Sequence, residues 1–332
     1  MTSSDCPVCR SGNSRILFRM GAEEAGKQLV PAHPERAHLI SAQIRALWES
    51  DRCAFYKCRD CGYGFARPYT AGNGEIYSTL YYESFSYTED KWEHRFALEL
   101  IQSLLLNETA TLLEAGAGNG SFLERVASTL LPPGQIYSTE LSDPGAKEIR
   151  RKGYHCLNKR LPELPAEKLP RFDVVCMFQV LEHMDDLDPV FQSLFQLGKP
   201  SSHLIIAVPN GYLRTFYDRV GVHLDLPPVH VGRFSRKTFE VLGKKHGWKI
   251  EGVYTESQSY AFKLKKFLSD RYVRVPLMRR TDQSSSKLVR YFFRYSCLLI
   301  LAVRFLPVLF FLLLPGTGSS MMVHYRKKNP PV

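Results

Sequence analysis

Between residues 109 and 256, short apolar runs alternate with amphipathic stretches of about a dozen residues. ATLLEAG, QIYSTEL, RFDVVCMF, SHLIIAVPN and WKIEGVYTE read as strands. SFLERVASTLL, DPGAKEIRRKG, DPVFQSLFQLG and SRKTFEVLGKKHG fall between them with helical spacing. Strands separated by whole helices cannot pair as hairpins. They pair in parallel, with helices covering both faces of the sheet. The chain is 332 residues long, room for roughly two domains. With 44% hydrophobic and 23% charged residues, disorder, collagen and coiled coil are excluded as the main architecture.

Four stretches follow: 1–67 with cysteine pairs, a core over 68–256, an irregular segment over 257–317, and a last strand with its tail over 318–332. Within the first, 37–50 has helical spacing. Ahead of the core, DKWEHRFALELIQSLLL reads as a helix with Asp90 as its N-cap. SSMMVHYRKK near the end is strand-like, and no internal repeat is visible.

The segment LLEAGAGNG (112–120) ends a strand in Glu114 and then alternates Gly116, Gly118 and Gly120 before a helix. Glycine permits a sharp turn and close approach of a ligand to the backbone. The next strand ends in Glu140, an acid placed to accept hydrogen bonds from ribose hydroxyls. A glycine-rich turn of this kind also serves dinucleotide dehydrogenases. The combination with FDVVCMFQVLEHMDD (172–186) and LIIAVPNG (204–211) resembles the class I S-adenosylmethionine-dependent methyltransferases. The resemblance covers roughly residues 75–256 and the last strand. It implies a Rossmann-like α/β fold with a seven-stranded, mostly parallel sheet and an antiparallel last strand. It implies that Glu114, Gly116, Gly118 and Gly120 meet the methionine part of the cofactor and that Glu140 holds its ribose. Leu161 would lie at the adenine edge, and Phe178 and Gln179 would line the methyl-transfer pocket.

Two histidines are candidate general bases. His183 follows Glu182 at the carboxyl end of a strand, where ligands bind in such sheets. The segment is similar to quinone-type O-methyltransferases, but Gln179 stands where those enzymes carry a further acid, which argues against a divalent metal there. Glu182 and His183 also read as a helix cap that shapes the pocket. His230 lies in LDLPPVHVGRFS (224–235), a loop stiffened by two prolines. An unperturbed imidazole titrates near neutral pH, which suits proton removal. A similar PP-x-H segment in polysaccharide and natural-product methyltransferases implies a substrate-side role for it.

Eight cysteines include two CxxC pairs, Cys6/Cys9 and Cys58/Cys61. The first residues, MTSSDCPVCR, contain no apolar run, so no secretory leader is expected and the thiols should be reduced, in the cytosol. Four thiolates favour a structural, tetrahedral Zn²⁺. CPVC…CRDCGYGF resembles a zinc ribbon, and such ribbons precede the methyltransferase domain in sugar- and polysaccharide-modifying members. The 48 residues between Cys9 and Cys58 require an inserted helix. Cys53 is a possible substitute ligand, whereas Cys156, Cys176 and Cys297 read as small hydrophobes.

The net charge is +11, and residues 262–304 hold eleven Lys and Arg against Asp270 and Asp282. Lys287, Arg290 and Arg294 share one face of a helical wheel, opposite Val289, Phe292, Leu299 and Val303. RFLPVLFFLLLPG follows. A crossing by 296–314 is disfavoured by Arg304 and Pro307, and because it would strand the last strand on the wrong side. Residues 262–314 are therefore expected to lie in an anionic membrane interface or to pack as an apolar hairpin on protein. The partner would be a glycan precursor, a lipid-linked acceptor or a quinone-like molecule. A nucleic-acid methyltransferase is disfavoured by FQVLEH at the end of the RFDVVCMF strand, where such enzymes resemble one another in an Asn/Asp-Pro-Pro-aromatic motif, and by charge segregated from stacking aromatics. A non-catalytic scaffold is disfavoured by the intact glycine loop and Glu140.

Overall fold

The computed structural model describes residues 5–31, 33–80, 91–219, 223–274, 288, 291, 295 and 306–328. The amino-terminal part contains β1 (Ser14–Gly21), α1 (Ala22–Leu29), α2 (Pro34–Trp48), β2 (Arg52–Cys58) and β3 (Gly64–Arg67). α2 is the expected inserted helix. Proline opens its first turn, and Ala37, Ile40, Ser41, Ile44 and Trp48 bury one face at helical spacing. Glu49 ends it in the left-handed region at φ 51°.

Next come α3 (Gly74–Leu80), α4 (Trp92–Ser103), β4 (Leu112–Ala115), α5 (Ser121–Thr129), β5 (Ile136–Thr139), α6 (Asp143–Arg151) and β6 (His155–Leu157). Then follow β7 (Phe172–Phe178), α7 (Leu187–Leu197), β8 (Gly198–Pro209), α8 (Gly211–Arg219), β9 (Gly232–Arg233), α9 (Arg236–Lys245) and β10 (Trp248–Thr255). The chain closes with α10 (Tyr260–Arg274), α11 (Leu306–Leu313) and β11 (Ser320–Lys327). Lys91, extended, precedes α4 without a side-chain cap. Asp90, Cys297 and the residues of the 287–303 helical wheel lie outside the described residues.

The large sheet has the order β10-β11-β8-β7-β4-β5-β6. β4, β5, β6, β7 and β8 run parallel, and β11 enters antiparallel between β8 and β10. This is the seven-stranded, Rossmann-like sheet that the sequence implies. Its strands alternate between two cores, as a pleat of period two requires. Leu113, Val175, Met177, Leu204 and Ile206 pack with Phe191, Leu194, Phe239 and Leu242 on one side. Leu112, Val174, Cys176, Ile205 and Ala207 pack with Ala97, Phe122, Val126 and Ile149 on the other. Each such side chain contributes roughly 1.5–3 kcal/mol on burial.

The small sheet has the order β1-β2-β3-β9 and is antiparallel. Its last strand comes from the loop between α8 and α9, so the cysteine-bearing part and the core share a sheet. Tyr63 and Phe65 pack into the same apolar cluster as Phe234 and Phe239. Thr238, which also reciprocates the Ser235 cap of α9, donates to the Cys61 carbonyl at 3.0 Å.

Candidate active site

The turn after β4 takes left-handed φ values of 75°, 58° and 78° at Gly116, Gly118 and Gly120. A Cβ at Gly116 would stand 2.6 Å from Val180 Cγ2, so only glycine fits that bend. The Gly116 and Ala117 amides both donate to the Thr139 carbonyl at 2.9 Å. The Gly118 amide donates to Glu140 Oε2 at 2.9 Å, and the Ser142 amide donates to Oε1 at 2.8 Å. Glu140 is thereby held at the carboxyl end of β5 beside the glycine turn. Glu114 lies beneath, 2% exposed, with Oε2 lacking a hydrogen bond. Burial pushes its carboxyl well above the usual range; Lys91 pulls it down and Glu140 adds to the rise.

These residues fit S-adenosylmethionine. Glycine backbone without side chains leaves room for a ligand, and Glu140 offers a carboxylate to a ribose diol. Phe178, at the end of β7, is buried against the rings of His94 and Phe122. Gln179 follows at φ 57° and reaches Ser320 Oγ of β11 with its amide at 3.3 Å. A non-glycine residue there stores on the order of 1–3 kcal/mol of strain, a feature that clusters at functional sites. Leu161 is 3% exposed, in the core formed with Leu164 and Phe172.

His183 and His230 come together, ring centroids 4.5 Å apart and nearly perpendicular. His183 Nδ1 lies 2.7 Å from the Val229 carbonyl and 3.0 Å from Tyr77 Oη. A carbonyl only accepts, so Nδ1 carries the hydrogen and the neutral ring has its lone pair on Nε2. His230 Nδ1 stands 4.0 Å from Asp225 Oδ1. Burial lowers the pKa of both histidines, that of His230 to about 3. At His230, desolvation outweighs the pull of Asp225. Burial raises the Asp225 carboxyl, but Arg214 first, then His230 and Arg233, hold it at about 2. Glu182 is 1% exposed, and burial, with Asp225 and Glu93 adding, pushes its carboxyl well upward.

Sequence reasoning missed Tyr77, Glu93, His94, Arg214 and Asp225. None has a motif. Asp225 carries one retrospective signal, an acid in an apolar, proline-rich loop, and the others are brought in only by topology.

Cys6, Cys9, Cys58 and Cys61 converge, with every Sγ within 4.8 Å of the others. Cys6–Cys61 and Cys9–Cys58 each close to 3.5 Å. Tetrahedral zinc at about 2.3 Å from each sulfur demands sulfurs roughly 3.8 Å apart, so the cluster is compatible with it. Cys53 takes no part. It is buried in β2, and desolvation pushes its thiol up to about 12. Among the described residues no helix is long and apolar enough to cross a membrane.

Residues 90–253 match a family model described as a methyltransferase domain. No curated protein is significantly similar to the chain. Solved structures with a similar fold include a protein from Galdieria sulphuraria described as a sarcosine dimethylglycine methyltransferase. It is 16% identical, with a TM-score of 0.45 over 71% of this chain and 85% of that one. Magnesium protoporphyrin IX methyltransferase from Synechocystis, with SAH bound, is 12% identical, with a TM-score of 0.42 over 76% and 92%. A SAM-dependent methyltransferase from Archaeoglobus fulgidus is 12% identical, with a TM-score of 0.42 over 77% and 100%. The domain match and the Rossmann-like sheet together support a SAM-dependent methyltransferase.

Proposed function

We propose that this chain transfers a methyl group from S-adenosylmethionine to an oxygen of a glycan precursor or lipid-linked acceptor. The observation that carries the reading is the clasp of Glu140 on the glycine turn, its two oxygens accepting from the Gly118 and Ser142 amides. The bound cofactor would supply a methyl group on an electrophilic sulfonium. Glu140 would bind its ribose hydroxyls and favour its positive charge. His183 and His230, kept neutral by burial, would accept a hydrogen bond from the acceptor hydroxyl and orient its lone pair.

Three observations support the acceptor class. The cysteine cluster suits a zinc ribbon of the kind seen in sugar-modifying relatives. The residues between α10 and α11 are rich in Lys and Arg. Those two helices also expose Phe262, Phe310 and Leu313, apolar groups suited to an anionic lipid surface. Calorimetry with S-adenosylmethionine tests the first half, expecting one site per chain that Glu140→Ala weakens about 10–100-fold. Uptake of a nicotinamide dinucleotide instead would overturn it. Flotation with anionic vesicles, expecting binding that a 260–316 deletion removes, tests the second.

A further inference from the structure

Glu182 is the carboxylate that the methyl-transfer reading leaves without a purpose. Neither of its oxygens has a hydrogen-bond partner, although the residue is 1% exposed. A buried carboxylate without donors costs several kcal/mol. Protonation would only move the difficulty, because the new O–H would need an acceptor. His183 Nε2, the nearby lone pair, stands 3.8 Å from Oε1, beyond hydrogen-bond reach.

The surroundings supply what a cation needs. His183 presents Nε2 because its Nδ1 hydrogen is committed to the Val229 carbonyl at 2.7 Å. That second contact fixes the ring and its tautomer, as carbonyl partners do for metal-binding histidines. His230 Nδ1 is buried and also lacks a hydrogen bond. The His230 loop is pinned by the Val231 amide donating to the Glu182 carbonyl at 3.0 Å. Arg214 already pairs with Asp225, so its guanidinium is engaged with another acid.

We propose that Glu182, His183 and His230 form a divalent-cation site for a first-row metal that prefers nitrogen and oxygen, such as Mn²⁺, Fe²⁺ or Co²⁺. Their ligand atoms lie within 4.8 Å of one another. Closing on a cation at about 2.1 Å requires them to approach to roughly 3–3.5 Å, a shift within side-chain rotation. His230 takes the place of the acid missing at Gln179, which is why the motif in sequence argues against a metal. Three protein ligands leave positions open for an oxygen of the acceptor, which with the cation bound would contact the metal in place of the histidine lone pairs and become more acidic. That last role rests on the methyl-transfer reading; the site itself does not.

Mn²⁺ binding to the full chain, with its thiolate cluster loaded with Zn²⁺, is read from the loss of the free-ion paramagnetic resonance signal. One Mn²⁺ per chain is expected, weakened at least about tenfold by Glu182→Gln and by His230→Gln. Urea unfolding of the same variants, with a cooperative transition of unchanged slope, confirms that each is folded, and either one suffices. No binding by the wild-type chain, or binding that neither substitution weakens, overturns the site. Mn²⁺ binding without cofactor binding would sink the methyl-transfer reading and leave the cation site standing.

Discussion

Arg233→Ala should destabilise the protein by about 4 kcal/mol, within the roughly 3–5 kcal/mol that follows when one partner of a buried ion pair is removed. The two side chains are 4% and 2% exposed in the Arg233–Asp218 pair. The guanidinium also donates to the Leu224 carbonyl at 2.6 Å and lies 4.4 Å from the centre of the Phe55 ring. Alanine leaves the Asp218 carboxylate buried with His223 Nδ1 at 3.1 Å as its remaining ionic partner, and removes a donor from the Leu224 carbonyl. These losses share one network and do not add. Urea unfolding followed by tryptophan fluorescence should show a lower midpoint with an unchanged slope. Arg233→Met combined with Asp218→Asn, which strands no charge, should recover at least about 2 kcal/mol relative to Arg233→Ala. Because Arg233 sits on β9 next to the His230 loop, acceptor turnover should fall while affinity for S-adenosylmethionine stays within about threefold. A loss below about 1 kcal/mol, or a double variant no better than the single, would refute the reasoning.

Other outcomes follow from the same geometry. Glu140→Ala should weaken S-adenosylmethionine by about 10–100-fold in calorimetry, the effect of one or two charge-assisted hydrogen bonds. Gly116→Ala should cost about 1–2 kcal/mol for the left-handed backbone alone, and more through the approach to Val180, measured by urea unfolding and by loss of cofactor affinity. His94 is buried, and desolvation lowers its pKa to about 3. Its contribution is complete above the unfolded value near 6.5 and is lost as pH falls toward 3, about 2 kcal/mol by pH 5. His94→Phe should flatten that part of the stability–pH curve. Cys58→Ser should remove stoichiometric zinc in elemental analysis and loosen the small sheet, seen as faster proteolysis near residue 60.

The large sheet was legible because most of its strands are solid apolar runs or alternations and glycine marks the turn after β4, whereas β6, three residues with none fully buried, carries no such signal. The position of Glu140 at a strand end and the two CxxC pairs follow from spacing alone. What sequence could not show was contact between segments far apart in the chain. Tyr77 reaches His183 across 106 residues. β9 is two residues long, too short for any periodicity, yet it brings the loop between α8 and α9 into the small sheet. The surroundings of His230 are likewise not written in its own loop, since His183 and Arg214 act on it from other segments.

The placement of β11 has a consequence for synthesis. β10 has one neighbour in its sheet, and that neighbour is β11. A ribosome finishes β10 long before it makes residues 320–327, so the growing polypeptide waits with an unpaired edge at β8 and a strand with nowhere to dock. Chaperones or a lipid surface near the tunnel would meet that open edge, and a nonsense mutation just before Ser320 would leave it open for good.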